Sequence, residues 1–203
     1  MGLLPRLLRS GLRRGQHGRR AVHAAAALIA LAALPATAVR AAAAGPLPPA
    51  VQAASPSLQP AGRGALTFLG LRVYEARLWV APDFRQARFA EHPLALELHY
   101  QRDLRAADIA ARSVQEMRRG GAMADEEANR WRAQLQQALP DVRAGDRIVG
   151  LHAPGQGLAF LVNGRGSGSI ADPKLAARFF GIWLAPSTSE PALRTALLEG
   201  TAP

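Results

Sequence analysis

No cysteine occurs in this 203-residue chain, which excludes disulfides, thiolate chemistry and cysteine-ligated metal. In an oxidising compartment such a fold must hold by packing alone. No Asp or Glu precedes Glu75, so the N-terminal third carries charge of one sign only. Aromatic residues make up just 5%. Beyond Val39, no stretch is long and apolar enough to span a membrane.

What is present must therefore be read by region. The overall charge of +10 would suggest nucleic acid or an anionic surface. Six arginines, however, lie in the first twenty residues: Arg6, Arg9, Arg13, Arg14, Arg19 and Arg20. Without them, 19 basic residues face 15 acidic ones, a balance of +4. The rest are scattered, with no basic stripe interleaved with aromatics, and no nucleic-acid partner is expected.

Those arginines form the n-region of an export signal. An apolar run, Ala24 to Leu34, follows, then Pro35 and the small-residue site Ala36-Thr37-Ala38. The expectation is a signal peptide over 1–38, cleaved after Ala38 or at the alanines around Ala41, and a periplasmic mature protein. A retained anchor is the competing reading, but the run from Ala21 to Val39 is Ala-rich, carries His23 and is broken by Pro35. Residues 39–60, rich in Ala and Pro, read as a mobile linker. Residues 61–200 are long enough for one self-sufficient core.

Within that domain, a first strand is expected over Gly64 to Leu69. Leu71 to Val80 alternates, with Tyr74, Ala76, Leu78 and Val80 on one face. Leu94 to Tyr100 repeats the pattern, as a strand with one buried face. Two helices follow, one over Ala106 to Arg119 closed by Gly120-Gly121, one with Asp125, Glu126 and Glu127 in its first turn. Ala128, Trp131, Leu135 and Leu139 form its inward face, and Pro140 stops it. Strand signals return from Ile148 to His152 and Leu158 to Val162, and Asn163-Gly164 is the strongest hairpin signal. Asp172 suits an N-cap and Pro173 a first helical position. Leu175, Phe179 and Trp183 then recur at helical spacing, a face that must be buried against a sheet. The segment Ser187 to Pro191 starts a last short helix. Strands, helices, hairpins and helices in that order predict an α+β domain with an antiparallel sheet.

Chemistry is sparse. His92, His99 and His152 show no ligand spacing, so neither metal nor cofactor is expected. The run Gly164 to Ser169 lacks the Lys-Ser/Thr ending of a phosphate loop, and its serines do not form a nucleophile elbow. Arg63, Arg72, Tyr74 and Arg77 are the residues of interest, because Arg and Tyr on neighbouring strands can hold a carboxylate or an enolate. From spacing alone, Tyr74 as a core aromatic and the arginines as surface residues is the better reading.

Four segments carry a family resemblance: Val73 to Trp79, Pro140 to Arg147, Phe179 to Leu184, and Leu193-Arg194. In order and in combination they resemble landmarks of bacterial chalcone isomerase-like proteins. The resemblance implies an open-faced β-sandwich, a large antiparallel sheet with helices packed on it. Plant enzymes of that superfamily close a chalcone to a flavanone, an arginine polarising the carbonyl beside threonine and tyrosine hydroxyls. Other members bind fatty acids, an Arg and a Tyr gripping the carboxylate. Tyr74 falls where the enzymes carry a threonine, which is similar to the fatty-acid binders. Arg63 is the counterpart of the first-strand arginine, with Arg72 the alternative. The implied ligand-binding set is thus Arg63, Tyr74 and Arg72, and the implied ligand a small apolar acid. A chalcone isomerase-type intramolecular lyase is the alternative, and a structural or partner-binding domain the third. Oligomeric state is left open.

Overall fold

Period-two alternation builds the centre of the molecule. The computed structural model describes residues 46–203, and the expected signal peptide lies outside the described residues. Six strands pair antiparallel, each beside its sequence neighbours: Gln59–Phe68 (β1), Leu71–Val80 (β2), Leu94–Tyr100 (β3), Arg147–Ala153 (β4), Gly157–Val162 (β5) and Arg165–Ile170 (β6). In β2 and β3, Tyr74 pairs with Tyr100, Ala76 with Leu98 and Leu78 with Leu96. The expected apolar face is therefore continuous across strands. The first strand begins earlier than its pattern suggested, because Gln59 and Pro60 pair with Val80 and Trp79.

Helices cover that face. Ala106–Met117 (α1) and Asp125–Ala138 (α2) are inserted between β3 and β4, and Pro173–Leu184 (α3) and Pro191–Leu198 (α4) follow β6. This is the α+β, open-faced antiparallel architecture expected. Asp172 anchors the core helix with both carboxylate oxygens. Oδ1 accepts the Leu175 N–H at 2.9 Å, and Oδ2 accepts the indole N–H of buried Trp131 at 2.9 Å. The cap thus also satisfies a buried donor from another helix. Phe179 meets Phe160 and Trp183 edge-on, at 5.5 and 5.3 Å between ring centroids. Such T-shaped contacts add to area burial.

Close approach decides one glycine. A Cβ at Gly62 would collide with the carbonyls of Ala196 and Leu197 in α4. With no side chain there, that helix lies directly on β1.

The opposite face of the sheet departs from expectation. The Ala/Pro-rich segment read as a mobile linker over 39–60 instead carries a short helix, Pro49–Ala54. Its Val51 is fully buried and joins Leu58, Trp79, Ala95 and Val149 in a second small core. Glu97 of β3, on this same outer face, is also buried. Its Oε1 lies 2.8 Å from Arg147 Nη1 and 4.0 Å from Arg77 Nε. β3 is consequently buried on both faces. Alternation identified its register but not the cover on its second face.

Candidate functional site

Tyr74 lies on the helix-covered face, as its register demands. Its hydroxyl accepts the Trp183 indole N–H at 2.9 Å, and its ring meets Tyr100 edge-on at 5.9 Å. Burial pushes its pKa up to about 12, against a lowering contribution from the Trp183 hydrogen bond. Tyr100 is raised further still, by burial and then by Tyr74. Both phenols stay protonated at neutral pH, so neither serves there as a phenolate base.

The arginines expected beside Tyr74 are elsewhere. Arg63 pairs in register with Arg77, whereas Leu66 pairs with Tyr74. By alternation along β2, Arg77 and therefore Arg63 project on the face opposite Tyr74. Arg63 is exposed and lies in the cross-strand row that also holds Arg77 and Glu97. Arg72 is exposed and paired with Glu75 at 2.7 Å. The sheet places Arg63 on the face opposite Tyr74, whereas Arg72, two residues from Tyr74 on the same strand, is held at the exposed strand end by Glu75. The physical reason is a one-position difference in parity, since 63 pairs with 77 and not with an even-numbered residue of β2.

A concavity lies on the other side of α3. It encloses about 450 Å³ and is lined by Phe89, Met117, Ala177, Gly181, Ile182 and Pro186, with Arg178, Glu116 and Lys174 among its polar groups. Gly181 lines it without a side chain, at a point where a Cβ would meet Phe89 at an ordinary contact distance of 3.6 Å. Arg178 reaches the carbonyls of Met117, Gly121 and Ala122 only at 3.3 to 3.4 Å. These are long hydrogen bonds, so its guanidinium keeps donor capacity. Glu116 is buried, with Arg112 Nη2 at 2.7 Å and Arg119 Nε at 3.7 Å. Its Oε2 accepts no hydrogen bond among the described residues. Lys174 is taken up by Glu127 at 2.6 Å. Of the charged groups lining the groove, Glu116 is thus paired with Arg112 and Arg119 and Lys174 with Glu127, while Arg178 has no ion pair among the described residues.

The sequence signal for this groove was faint: Lys174, Arg178, Gly181 and Ala185 share the helix stripe beside the aromatic one. The histidines do not converge on it. His152 is buried, its Nε2 2.9 Å from the Ala90 carbonyl, and His92 lies 3.6 Å from Asp83. Among the described residues, no group of three His, Cys, Asp or Glu is arranged to hold a metal ion.

The family landmarks acquire structural roles. Asp141 accepts the first amide of α1, that of Ala106, at 2.8 Å. Asp146 accepts from the Arg143 amide at 2.7 Å and from Asn163 at 2.9 Å. Those two contacts, the Arg143 amide first, hold its carboxyl below the usual range. Arg194 Nε donates to the Leu184 carbonyl at 2.8 Å, closing the C-terminus of α3. The profile of the chalcone isomerase-like family matches residues 40–199. The chain belongs to that family.

An uncharacterized protein of Haemophilus influenzae is 27% identical over 143 residues, covering 70% of this chain and 69% of that protein. The crystal structure of the Arabidopsis thaliana fatty-acid binding protein AtFAP1 superposes with a TM-score of 0.54 at 15% identity. That match covers 70% of this chain and 87% of the plant protein. Likeness at this identity shows the shared fold. Among the described residues, no helix is long and apolar enough to cross a membrane.

Proposed function

We propose that this chalcone isomerase-like protein is an exported, non-catalytic binder of a small apolar acid such as a fatty acid. The observation that carries the reading is the apolar groove beside α3, lined at one point by Arg178, whose guanidinium makes only long hydrogen bonds to backbone carbonyls and no ion pair among the described residues. An acyl chain would lie along Phe89, Met117 and Ile182, and its carboxylate at Arg178, away from the Glu116 oxygen. The fatty-acid binding named for the Arabidopsis neighbour is consistent with this. The isomerase alternative finds less support. Tyr74 is engaged by Trp183, and Arg63 lies across the sheet from it.

Titration with palmitic acid tests the site. Arg178→Ala should weaken binding by roughly tenfold to a hundredfold, the range of one charge-assisted hydrogen bond. Gly181→Leu should abolish binding by filling the groove. Unchanged affinity in both variants would overturn this site. If Arg63→Ala or Tyr74→Phe weakened binding instead, the head group would belong at the strand pair. Turnover of a hydroxylated chalcone would favour the isomerase, and a lack of response to either compound a partner-binding domain.

Export has its own test. The Arg-rich start and the Ala36-Thr37-Ala38 site give an expected mature N-terminus at Val39. N-terminal sequencing of the protein recovered from the periplasmic fraction checks it. An intact Met1 start in the cytosol would contradict export.

A further inference from the structure

Two hairpins of this sheet turn through the same geometry with different residues. In the β5–β6 turn, Asn163 and Gly164 have φ of 49° and 80°; in the β1–β2 turn, Leu69 and Gly70 have φ of 49° and 77°. Positive φ at both central residues marks the type I′ turn, which favours Asn-Gly. Asn163 repays the conformation locally: its Oδ1 accepts the Arg147 amide at 3.0 Å and its amide donates to Asp146 at 2.9 Å. Leu69 has no polar side chain to do so and is 85% exposed. It therefore adopts an unfavourable conformation and presents an apolar side chain to solvent.

It is not alone. Phe68, Leu69 and Leu71, at 62%, 85% and 58%, are the exposed large hydrophobics among the described residues. All three sit within four positions at one hairpin tip. This tip also projects. The last hydrogen bond from β2 toward its inner neighbour joins Val73 to Gln101, so the turn extends roughly 7 Å farther at about 3.3 Å per residue. The other flank, β1, is the edge of the sheet.

Charge at this end of the sheet is asymmetric in availability. The 101–105 connection, the 143–146 turn and the β5–β6 turn all lie here, joined through Tyr100, Asp146, Arg147 and Asn163. The carboxylates keep their charge but are tethered: Glu75 by Arg72, Asp103 by the Ala144 amide, Asp141 by the Ala106 amide, and Asp146 by the Arg143 amide and Asn163, with the Arg143 side chain also acting on it electrostatically. Arg102, Arg143 and Arg165 are exposed. The ion pairs among the described residues include none of them within 4.0 Å.

We infer that the Phe68–Leu71 tip inserts into the interfacial region of an anionic lipid bilayer, with Arg102, Arg143 and Arg165 against the headgroups. The tip is too narrow to supply the roughly 800 Å² per partner of a stable protein interface. Three apolar side chains on a ridge match the bilayer interface, where apolar insertion is joined by contacts of the exposed, untethered arginines with lipid phosphates. This surface is separate from the groove beside α3, and the inference stands without it.

The absence of cysteine gives a direct test. Leu69→Cys and Gln156→Cys, the latter exposed in the β4–β5 turn at the opposite end, each take one environment-sensitive fluorophore in the full-length protein. Vesicles of phosphatidylcholine with phosphatidylglycerol should blue-shift the label at 69 and leave that at 156 unchanged. Phosphatidylcholine alone should give a weaker shift. An N-terminal anchor acting by itself would shift neither label, which separates it from insertion of the tip. In the unlabelled protein, Leu69→Asn should raise Tm by roughly 2–4 °C through relief of the positive φ. The combined Phe68→Ser, Leu69→Asn and Leu71→Ser change should lower the vesicle-induced shift of a label at Arg72→Cys by roughly tenfold or more in apparent affinity. An unshifted label at 69, or equal responses at 69 and 156, would overturn the inference. So would a shift at 69 without vesicles that grows with protein concentration, which would make the tip a protein contact.

Discussion

Trp183→Ala should destabilise the fold by about 3–5 kcal/mol, the range for emptying a large aromatic site. The indole is 6% exposed and lies between α3 and β2. Removing it takes away one of the edge-on partners of Phe179 and leaves the Tyr74 hydroxyl without its donor. Trp183→Phe separates these contributions. It keeps most of the ring packing and loses the N–H, so it should cost about 1–3 kcal/mol through the unsatisfied hydroxyl. In the Tyr74→Phe background that increment should shrink, because no hydroxyl is left to satisfy. Urea denaturation of the wild type and these four variants measures all of this. A loss below about 1 kcal/mol for Trp183→Ala would place the indole outside the core.

Alkaline pH should unfold the protein well before its arginines titrate. The chain has two tyrosines, and both are buried against each other. In the unfolded chain a tyrosine loses its proton near pH 10, whereas folded Tyr74 holds its proton up to about 12. Between those values the unfolded state binds fewer protons than the folded one, so stability falls as pH rises. The contribution is fully present below pH 10. For Tyr74 the loss by pH 12 is on the order of 3 kcal/mol, and Tyr100, raised by burial and by Tyr74, acts in the same direction. Phenolate absorbance and far-UV circular dichroism should therefore change together. Tyr100→Phe should move the alkaline midpoint upward relative to its stability at neutral pH. Phenolate appearing near pH 10 with the fold intact would show the phenols to be accessible.

Much of the fold was legible in the sequence because each signal is local. The Asp172-Pro173 start and the Leu175, Phe179, Trp183 spacing describe α3 without knowledge of its partner. Asn163-Gly164 identifies a turn because positive φ is a property of those residues themselves. The alternation of β2 and β3 placed Tyr74 inside. The Leu69-Gly70 turn was less visible, since leucine has no local preference for that conformation.

The site was less legible, for a related reason. Arg63 and Tyr74 were brought together by family resemblance, and whether two strand residues share a face depends on cross-strand register. A single step moves a side chain to the other side of the sheet. The groove beside α3 is formed by parts far apart in sequence, Phe89, Met117 and Ile182, and no local pattern announces it. Val51 illustrates the same limit: its surroundings are Ala and Pro, and only the uncovered strip of Trp79, Ala95 and Val149 makes it a core residue.

The sequence by itself determined the elements, their order, the antiparallel class and the aromatic face of α3. These depend on backbone preference and periodicity, which act over one or two turns of chain. Only the tertiary structure decided which face Arg63 occupies, what covers the outside of β3, and where an apolar concavity meets an available guanidinium. Those depend on register and long-range packing, in which each residue's environment is set by residues distant along the chain.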